Sequence, residues 1–252
     1  MNPPRRFFLE VSPIEGAPRL ADSDTAHALR VLRLGEGDRL LGLDGRGHEW
    51  CLEVARAERR ELQLRALGDA REEPAPGAEG APLPWIEVCC PLPKASRAET
   101  MLSRLTQLGI ARYVPLVSER CEPQAREASP ARLAKLERTA RESLKQCGRL
   151  WLPEIALPRS LDEGLGPAKL DVLLDHDAED SLARLLAATS EKEWTRERPL
   201  RLIAGPEGGF SPAERAALEE QGARPARLGP HVLRIETAVE AALAVVVVST
   251  SA

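Results

Sequence analysis

The segment "IAGPEGGFSPAE", residues 203–214, packs three glycines and two prolines into twelve positions. An apolar run, "LRL", precedes it and a helical pattern follows. A glycine-rich turn between strand and helix is a common phosphate cradle, so phosphate is the first ligand to weigh. The segment does not match G-x-x-x-x-G-K-[ST], because the lysine is missing, and it does not match G-x-G-x-x-G. Ser211, Pro212 and Glu214 instead fit a capping box, with serine at the N-cap, proline at N1 and glutamate at N3. A helix end satisfied by its own side chains has little left to offer a phosphate. Gly205, Gly208 and Gly209 stand upstream of it. Lacking Cβ, they let the backbone approach a flat or crowded ligand, or simply close a tight strand-to-helix turn.

Working outward, the same grammar repeats. "WIEVCC", "RYVPLV", "KLDVLLDH", "LRLIAG" and "RPARLG" read as strands. "RAETMLSRLTQLGI" reads as a helix with Met101, Leu102, Leu105 and Leu108 on one face. "SPARLAKLERTARESLKQCG" reads as another, with Leu133, Leu136, Ala140 and Leu144 inward and a stop at Gly148. Strands alternating with helices predict an open parallel α/β sheet, and such sheets bind ligands beyond the C-terminal ends of their strands. Three loops then matter: "DHD" after Leu174, "GPEGG" after Ala204, and "GPHVLRIETA" after Leu228. The last opens an Ala/Val-rich helix with Arg234, Glu236 and Thr237 at its mouth. Glu236 or Thr237 there is either a helix cap or directed at a ligand.

The first part of the chain differs. "RFFLEV", "RLLGLDG", "HEWCLEVAR" and "ELQLRAL" are short strand-like runs separated by turn signals, which predicts a small β-barrel. "ADSDTAHALRVLRL" is its one helical insert, with Asp or Ser as cap. Gly68–Pro84 is rich in proline and glycine and reads as a linker. The boundaries expected are residues 1–72 for the barrel, 73–84 for the linker and 85–252 for the α/β domain.

At 252 residues and 43% hydrophobic composition, the chain has enough apolar material for such a pair of domains. Neither a membrane-length apolar run nor a signal-peptide core is visible, so a cytoplasmic location is expected. Cys51, Cys89, Cys90, Cys121 and Cys147 include no C-x-x-C pair and read as small buried hydrophobes of a reducing compartment. His176 and His231 fall in the ligand loops as pocket-lining residues; no metal cluster is expected. Net charge is −4, but residues 81–150 carry 12 basic against 7 acidic side chains, whereas residues 151–252 carry 11 against 17. A basic segment inside an acidic protein points either to a local anionic partner or to solvated helix faces.

"LIAGPEGGFSPAE" followed by "LGPHVLRIETAVEAAL" resembles the signature of the SPOUT methyltransferases, in the ribosomal RNA small subunit methyltransferase E family. "HALRVLRLGEGD", "KASRAETMLSRLTQLGIARYVPLVSERC" and "KQCGRLWLPEI" extend the resemblance over nearly the whole chain. It implies an α/β domain whose C-terminus threads a trefoil knot around bent S-adenosylmethionine, an N-terminal PUA-like RNA-binding barrel, and a homodimer. It implies methylation of N3 of a uridine in the decoding region of 16S rRNA in the small ribosomal subunit. The knot motifs constrain the cofactor more closely than the substrate. The alternatives are another RNA target or a non-catalytic RNA-binding or assembly protein.

By the same resemblance the cofactor would meet Leu174, His176, Ala204, Gly205, Pro206, Gly208, Leu228, Gly229, Leu233 and Thr237. Arg234 becomes the candidate for stabilising an N3 anion, with Glu207 beside it as a polar or proton-accepting group. Arg234 could equally sit in an ion pair with Glu236 or Glu240. Arg6, Arg33, Lys94, Arg97, Arg120 and Arg149 are candidates for RNA contact. With aromatic residues at only 3%, such contact should lean on phosphates and shape. The sequence departs from the family's usual pattern at Lys145, where Glu is common, and at Ile235, where Thr is common.

Overall fold

The structure, a computed structural model, describes residues 5–123, 128–189 and 193–250. The first four residues of the opening segment therefore lie outside the described residues. The chain forms two compact units, one of residues 1–75 with 144–152, the other of residues 76–143 with 153–252. The first unit thus includes residues 144–152, which the linker-based boundary does not foresee.

The first unit is a six-stranded sheet in the order β2-β1-β3-β4-β5, with β6 on β4. The strands are β1 (Arg6–Val11), β2 (Arg19–Leu20), β3 (Arg39–Leu43), β4 (His48–Ala57), β5 (Leu62–Ala66) and β6 (Arg71–Glu72). β1 runs parallel to β3 and every other pairing is antiparallel. The edge strands β2 and β5 approach one another without a shared ladder, so the sheet is nearly closed and barrel-like. Alternation puts Leu40, Trp50, Leu52, Val54, Leu62 and Leu64 inside with Phe7 and Leu9. Gly42 leaves room for the core leucines: a Cβ on it would stand 2.7 Å from Leu52 Cδ1, which would have to shift.

Helix α1 (Asp22–Arg30) starts at Ala21 without a side-chain cap, so the expectation of an Asp or Ser cap is corrected. Asp24 is buried and used elsewhere. Its Oδ2 accepts the Phe8 N–H at 2.7 Å, and its Oδ1 lies 2.9 Å from Lys145 Nζ. Lys145, the position of the family departure, therefore serves as the counter-charge of a buried carboxylate. The strand β6 lies in the proline- and glycine-rich stretch Gly68–Pro84, at the end of the expected barrel boundary. A two-residue strand has no periodicity of its own to read and exists through its pairing with β4.

The second unit is a seven-stranded parallel sheet, β10-β8-β7-β12-β11-β13 with β9 on β8. The strands are β7 (Ile86–Cys90), β8 (Arg112–Val117), β9 (Glu154–Ile155), β10 (Arg159–Ser160), β11 (Leu170–Leu174), β12 (Leu200–Ala204) and β13 (Arg224–Ala226). Every residue of β7 and β12 is buried, as expected for central strands covered on both faces. Their near-continuous apolar runs follow from that.

The helices are α2 (Ala95–Leu108), α3 (Pro130–Cys147), α4 (Leu182–Ala187), α5 (Pro212–Glu220) and α6 (Ile235–Thr250). Helix α2 ends at Gly109, whose φ of 107° allows its N–H to close on the Leu105 and Thr106 carbonyls. α6 packs against α2, α4 and β12. Leu218 of α5 joins Cys89, Val114, Leu173 and Ile203 in one cluster. The sheet's N-terminal end is pinned by Arg201, 3% exposed, which binds Glu87 at 3.1 Å and Asp171 at 3.0 Å. Burial nonetheless raises the pKa of Asp171.

Cys89, Cys90 and Cys121 are buried and free, with burial pushing the Cys90 thiol up to about 12. Cys51 and Cys147 are exposed, contrary to the uniform expectation for the five. Among the described residues, no helix is long and apolar enough to cross a membrane.

Candidate functional site

Strands β12, β11 and β13 are neighbours, so their C-terminal ends bring three loops together. Between them lies a cavity of about 670 Å³. Leu174 and His176 line it from the β11 loop. Ala204, Gly205, Pro206, Glu207 and Gly208 line it from the β12 loop, and Leu228, Gly229, Leu233 and Arg234 from the β13 loop. Thr237 is the exception among the expected cofactor residues: it is exposed on the first turn of α6 and does not line the cavity. One turn into a helix, its side chain is set by the 100° helical rotation, which the loop-level reading did not carry.

The glycine loop is held from three sides. Gly209 has φ 66° and its N–H donates to the Pro206 carbonyl at 2.8 Å. A Cβ on Gly205 would stand 3.1 Å from the Phe210 ring and 3.2 Å from the Phe210 nitrogen. The capping box is present. Ser211 Oγ accepts from the Glu214 N–H, and Glu214 Oε2 accepts from the Ser211 N–H at 2.8 Å. The second oxygen of Glu214 accepts the Glu119 N–H at 2.7 Å. The next residue, Arg120, donates from Nη1 to the Gly208 carbonyl at 3.0 Å and lines the cavity. Arg120, a candidate for RNA contact, is exposed and braces the loop wall through one of its nitrogens.

Sequence reasoning missed Asp175 and Arg215. Arg215 Nη1 lies 2.5 Å from Asp175 Oδ2 in the cavity wall, and its pKa is raised first by Glu219 and then by Asp175. The signal available was weak: an arginine in the first turn after a capped helix start. Asp175, His176 and Asp177 bring one potential ligand atom each within 4.8 Å of one another. Asp175 Oδ1 accepts the Asp177 N–H at 3.0 Å, its other oxygen faces Arg215, and His176 Nε2 faces Asp177 Oδ1 at 3.0 Å. The three form a hydrogen-bonded turn at the cavity rim, with His176 and Asp177 exposed.

Arg234 is exposed and lines the cavity. It makes no hydrogen bond or ion pair through its side chain among the described residues; its backbone carbonyl accepts the Ala238 N–H. The alternative pairing with Glu236 or Glu240 is not what the structure has. Glu236 lies 3.3 Å from Arg97 Nη1 and Glu240 lies 3.0 Å from Arg104 Nη1. Glu207 is 53% exposed, 3.9 Å from the same Arg97 nitrogen. Residues 231–234 are all exposed, Val232 at 74%.

Of the remaining arginines and lysines, Arg6 lies in the first unit, with Nε 2.7 Å from the buried carboxylate of Glu49. Arg149, also there, is half-buried, and its burial lowers its pKa. Lys94 is exposed, 3.9 Å from Glu122. Arg33 is exposed in the left-handed region, φ 54°, the one described non-glycine residue there.

A parallel sheet with a loop-built cavity at three adjacent strand ends, joined in one chain to a barrel-like sheet, is the architecture on which the family matches place an RNA methyltransferase. The RNA methyltransferase domain family matches residues 80–247, and the RNA methyltransferase PUA domain family matches residues 20–67. The chain belongs to the ribosomal RNA small subunit methyltransferase E family. A Mycobacterium bovis relative of that name is 30% identical over 254 residues, covering 97% of this chain and 92% of the relative. A crystal structure of a probable rRNA-methyltransferase from Porphyromonas gingivalis superposes with a TM-score of 0.77 at 27% identity, covering 98% of each chain. A Legionella pneumophila structure described as a methyltransferase with bound SAM superposes with a TM-score of 0.76 at 25% identity, covering 97% of each.

Proposed function

We propose that this enzyme transfers a methyl group from S-adenosylmethionine to N3 of a uridine in 16S rRNA of the small ribosomal subunit. The observation carrying this reading is Arg234, a guanidinium without a counter-charge among the described residues, at the rim of a loop-built cavity. A volume of about 670 Å³ lies within the ordinary range for small-molecule sites. Glycines at 205, 208 and 229 keep the wall to backbone, while Leu174, Pro206, Leu228 and Leu233 give it apolar surface, which suits a nucleoside. When bound, the cofactor supplies a methyl group activated by a sulfonium.

The chain's own work is to hold the acceptor as an anion. Uridine N3 is a weak acid and attacks poorly while protonated. Arg234 favours the deprotonated base electrostatically. With the cofactor bound, the N3 proton would pass to a base, for which Glu207, lining the same cavity, is the candidate; the N3–CH₃ bond would form as the C–S bond breaks, the electron pair going to sulfur, so that methylated base and thioether both leave neutral. The loops that carry these groups would be threaded through a trefoil knot.

Arg33 and Lys94 are proposed to contact RNA phosphates, being exposed. Ala241, Ala244, Val245 and Val248 form an i, i+3, i+4, i+7 stripe on α6 that the chain leaves partly uncovered, Val248 at 72%. A second copy is proposed to cover it, in a cytoplasmic homodimer. The test is methyl transfer from labelled cofactor to 16S rRNA or small subunits, with mass mapping of the product. Arg234→Ala should lower the rate about 10²–10³-fold while retaining cofactor binding. A variant with full activity would remove Arg234 from the chemistry.

A further inference from the structure

Arg234 is two residues from Glu236 and six from Glu240, yet neither carboxylate pairs with it. Both are held by α2. Arg97 Nη1 lies 3.3 Å from Glu236 Oε1, and Arg104 Nη1 lies 3.0 Å from Glu240 Oε2. Arg97 and Arg104 are seven residues apart and share one face of α2, as Glu236 and Glu240, four apart, share one face of α6. Arg97 also stands 3.9 Å from Glu207 on the glycine loop. One guanidinium therefore faces both Glu236, two residues from Arg234, and Glu207, which lines the same cavity as Arg234. The hold on Glu236 is one-sided: its Oε2 is buried without a hydrogen-bond partner. The other cavity-rim acids, Asp175 and Asp177, already face Arg215 and His176.

We infer that Arg97 is a positioning residue for methyl transfer: by occupying Glu236 and Glu207 it keeps Arg234 unpaired and its charge directed at the acceptor base. The inference rests on the reading of Arg234 given above. Without Arg97, Glu236 would carry an unneutralised, largely buried charge, and the guanidinium two residues away is its natural partner. Arg234 would then be masked in the resting enzyme, and the acceptor anion would be less stabilised.

The test is a double-mutant cycle on the full-length enzyme with small subunits as substrate. Arg97→Met is expected to lower kcat about tenfold and to move the acid limb of the kcat profile up by about one pH unit, because less anion is stabilised at a given pH. Calorimetric affinity for S-adenosylmethionine should stay within about twofold. Adding Glu236→Gln to Arg97→Met removes the competing charge and should restore most of the rate and the original profile. Arg97→Lys, which keeps the charge, should fall between and serves if the methionine variant folds poorly. A wild-type profile in Arg97→Met, or no recovery in the double variant, would overturn the inference. So would a parallel loss of cofactor binding and rate. If Arg234→Ala is fully active, the reading of Arg234 itself has failed; if that variant is inactive and Arg97→Met is normal, only the present inference has.

Discussion

Arg234 and Asp24 are charged residues in opposite circumstances. Arg234 is exposed at the cavity rim and unpaired among the described residues, while Asp24 is buried and accepts from both Phe8 N–H and Lys145. The sequence could nominate Arg234 through its place at a helix mouth beside a glycine turn. It could not separate a free guanidinium from one paired with Glu236 or Glu240, since that depends on α2, about 130 residues upstream. Nor could it see that Asp24 faces inward, because an Asp near a helix start reads as a cap. Replacing Asp24 by Asn removes the charge that accepts from the Phe8 N–H and lies 2.9 Å from the Lys145 ammonium. The expected loss is about 2 kcal/mol of stability, as for a hydrogen bond to a charged group, read as a lowered midpoint in urea. Lys145→Met should cost less, because Asp24 keeps the Phe8 N–H.

At the scale of elements, the capped helix α5 does more than begin after a loop. Glu214 uses one oxygen for the Ser211 N–H and the other for the Glu119 N–H, so the box that ends the glycine loop also anchors the segment bearing Arg120. Ser211→Ala and Glu214→Ala should each cost about 1 kcal/mol as cap losses. Only Glu214→Ala should also weaken cofactor binding markedly by calorimetry, since it frees Arg120 from its place against Gly208. Equal affinities in the two variants would refute that anchoring role. The capping box was legible because it is local, four residues long and chemically specific. The parallel sheet was legible because central strands covered on both faces must be continuously apolar. β6 was not, because its two residues gain their structure from β4.

For the whole molecule, strand–helix alternation conveyed the parallel sheet and the end of it at which the loop-built cavity opens. It did not convey which cations are free. The mean composition hides that Arg6, Arg97 and Arg120 are engaged by Glu49, Glu236 and the Gly208 carbonyl. Long-range pairings of this kind leave no periodic trace. The uncovered stripe on α6 is the other molecular-scale feature. Val248→Glu places a charge in it and should shift the enzyme to monomer in sedimentation, with activity falling in step if the assembly completes the site. Helicity should be retained, since position 248 is exposed in the single chain.

The contribution of residues 144–152 to the first unit reaches beyond packing. Leu144 and Leu152 meet Phe8 and Leu43, and Trp151 Nε1 donates to the Glu73 carbonyl at 2.7 Å. A chain emerging from the ribosome has made all six strands of this sheet by residue 72, yet the last pieces of its core arrive some eighty residues later. The amino-terminal unit must therefore wait in an unfinished form while α2, β8 and α3 are synthesised. Its completion is timed by translation of a segment that, in the linear order of the gene, lies inside the catalytic domain. Cutting the coding sequence at the proline-rich linker would then yield a barrel without its closing residues, not a portable RNA-binding module.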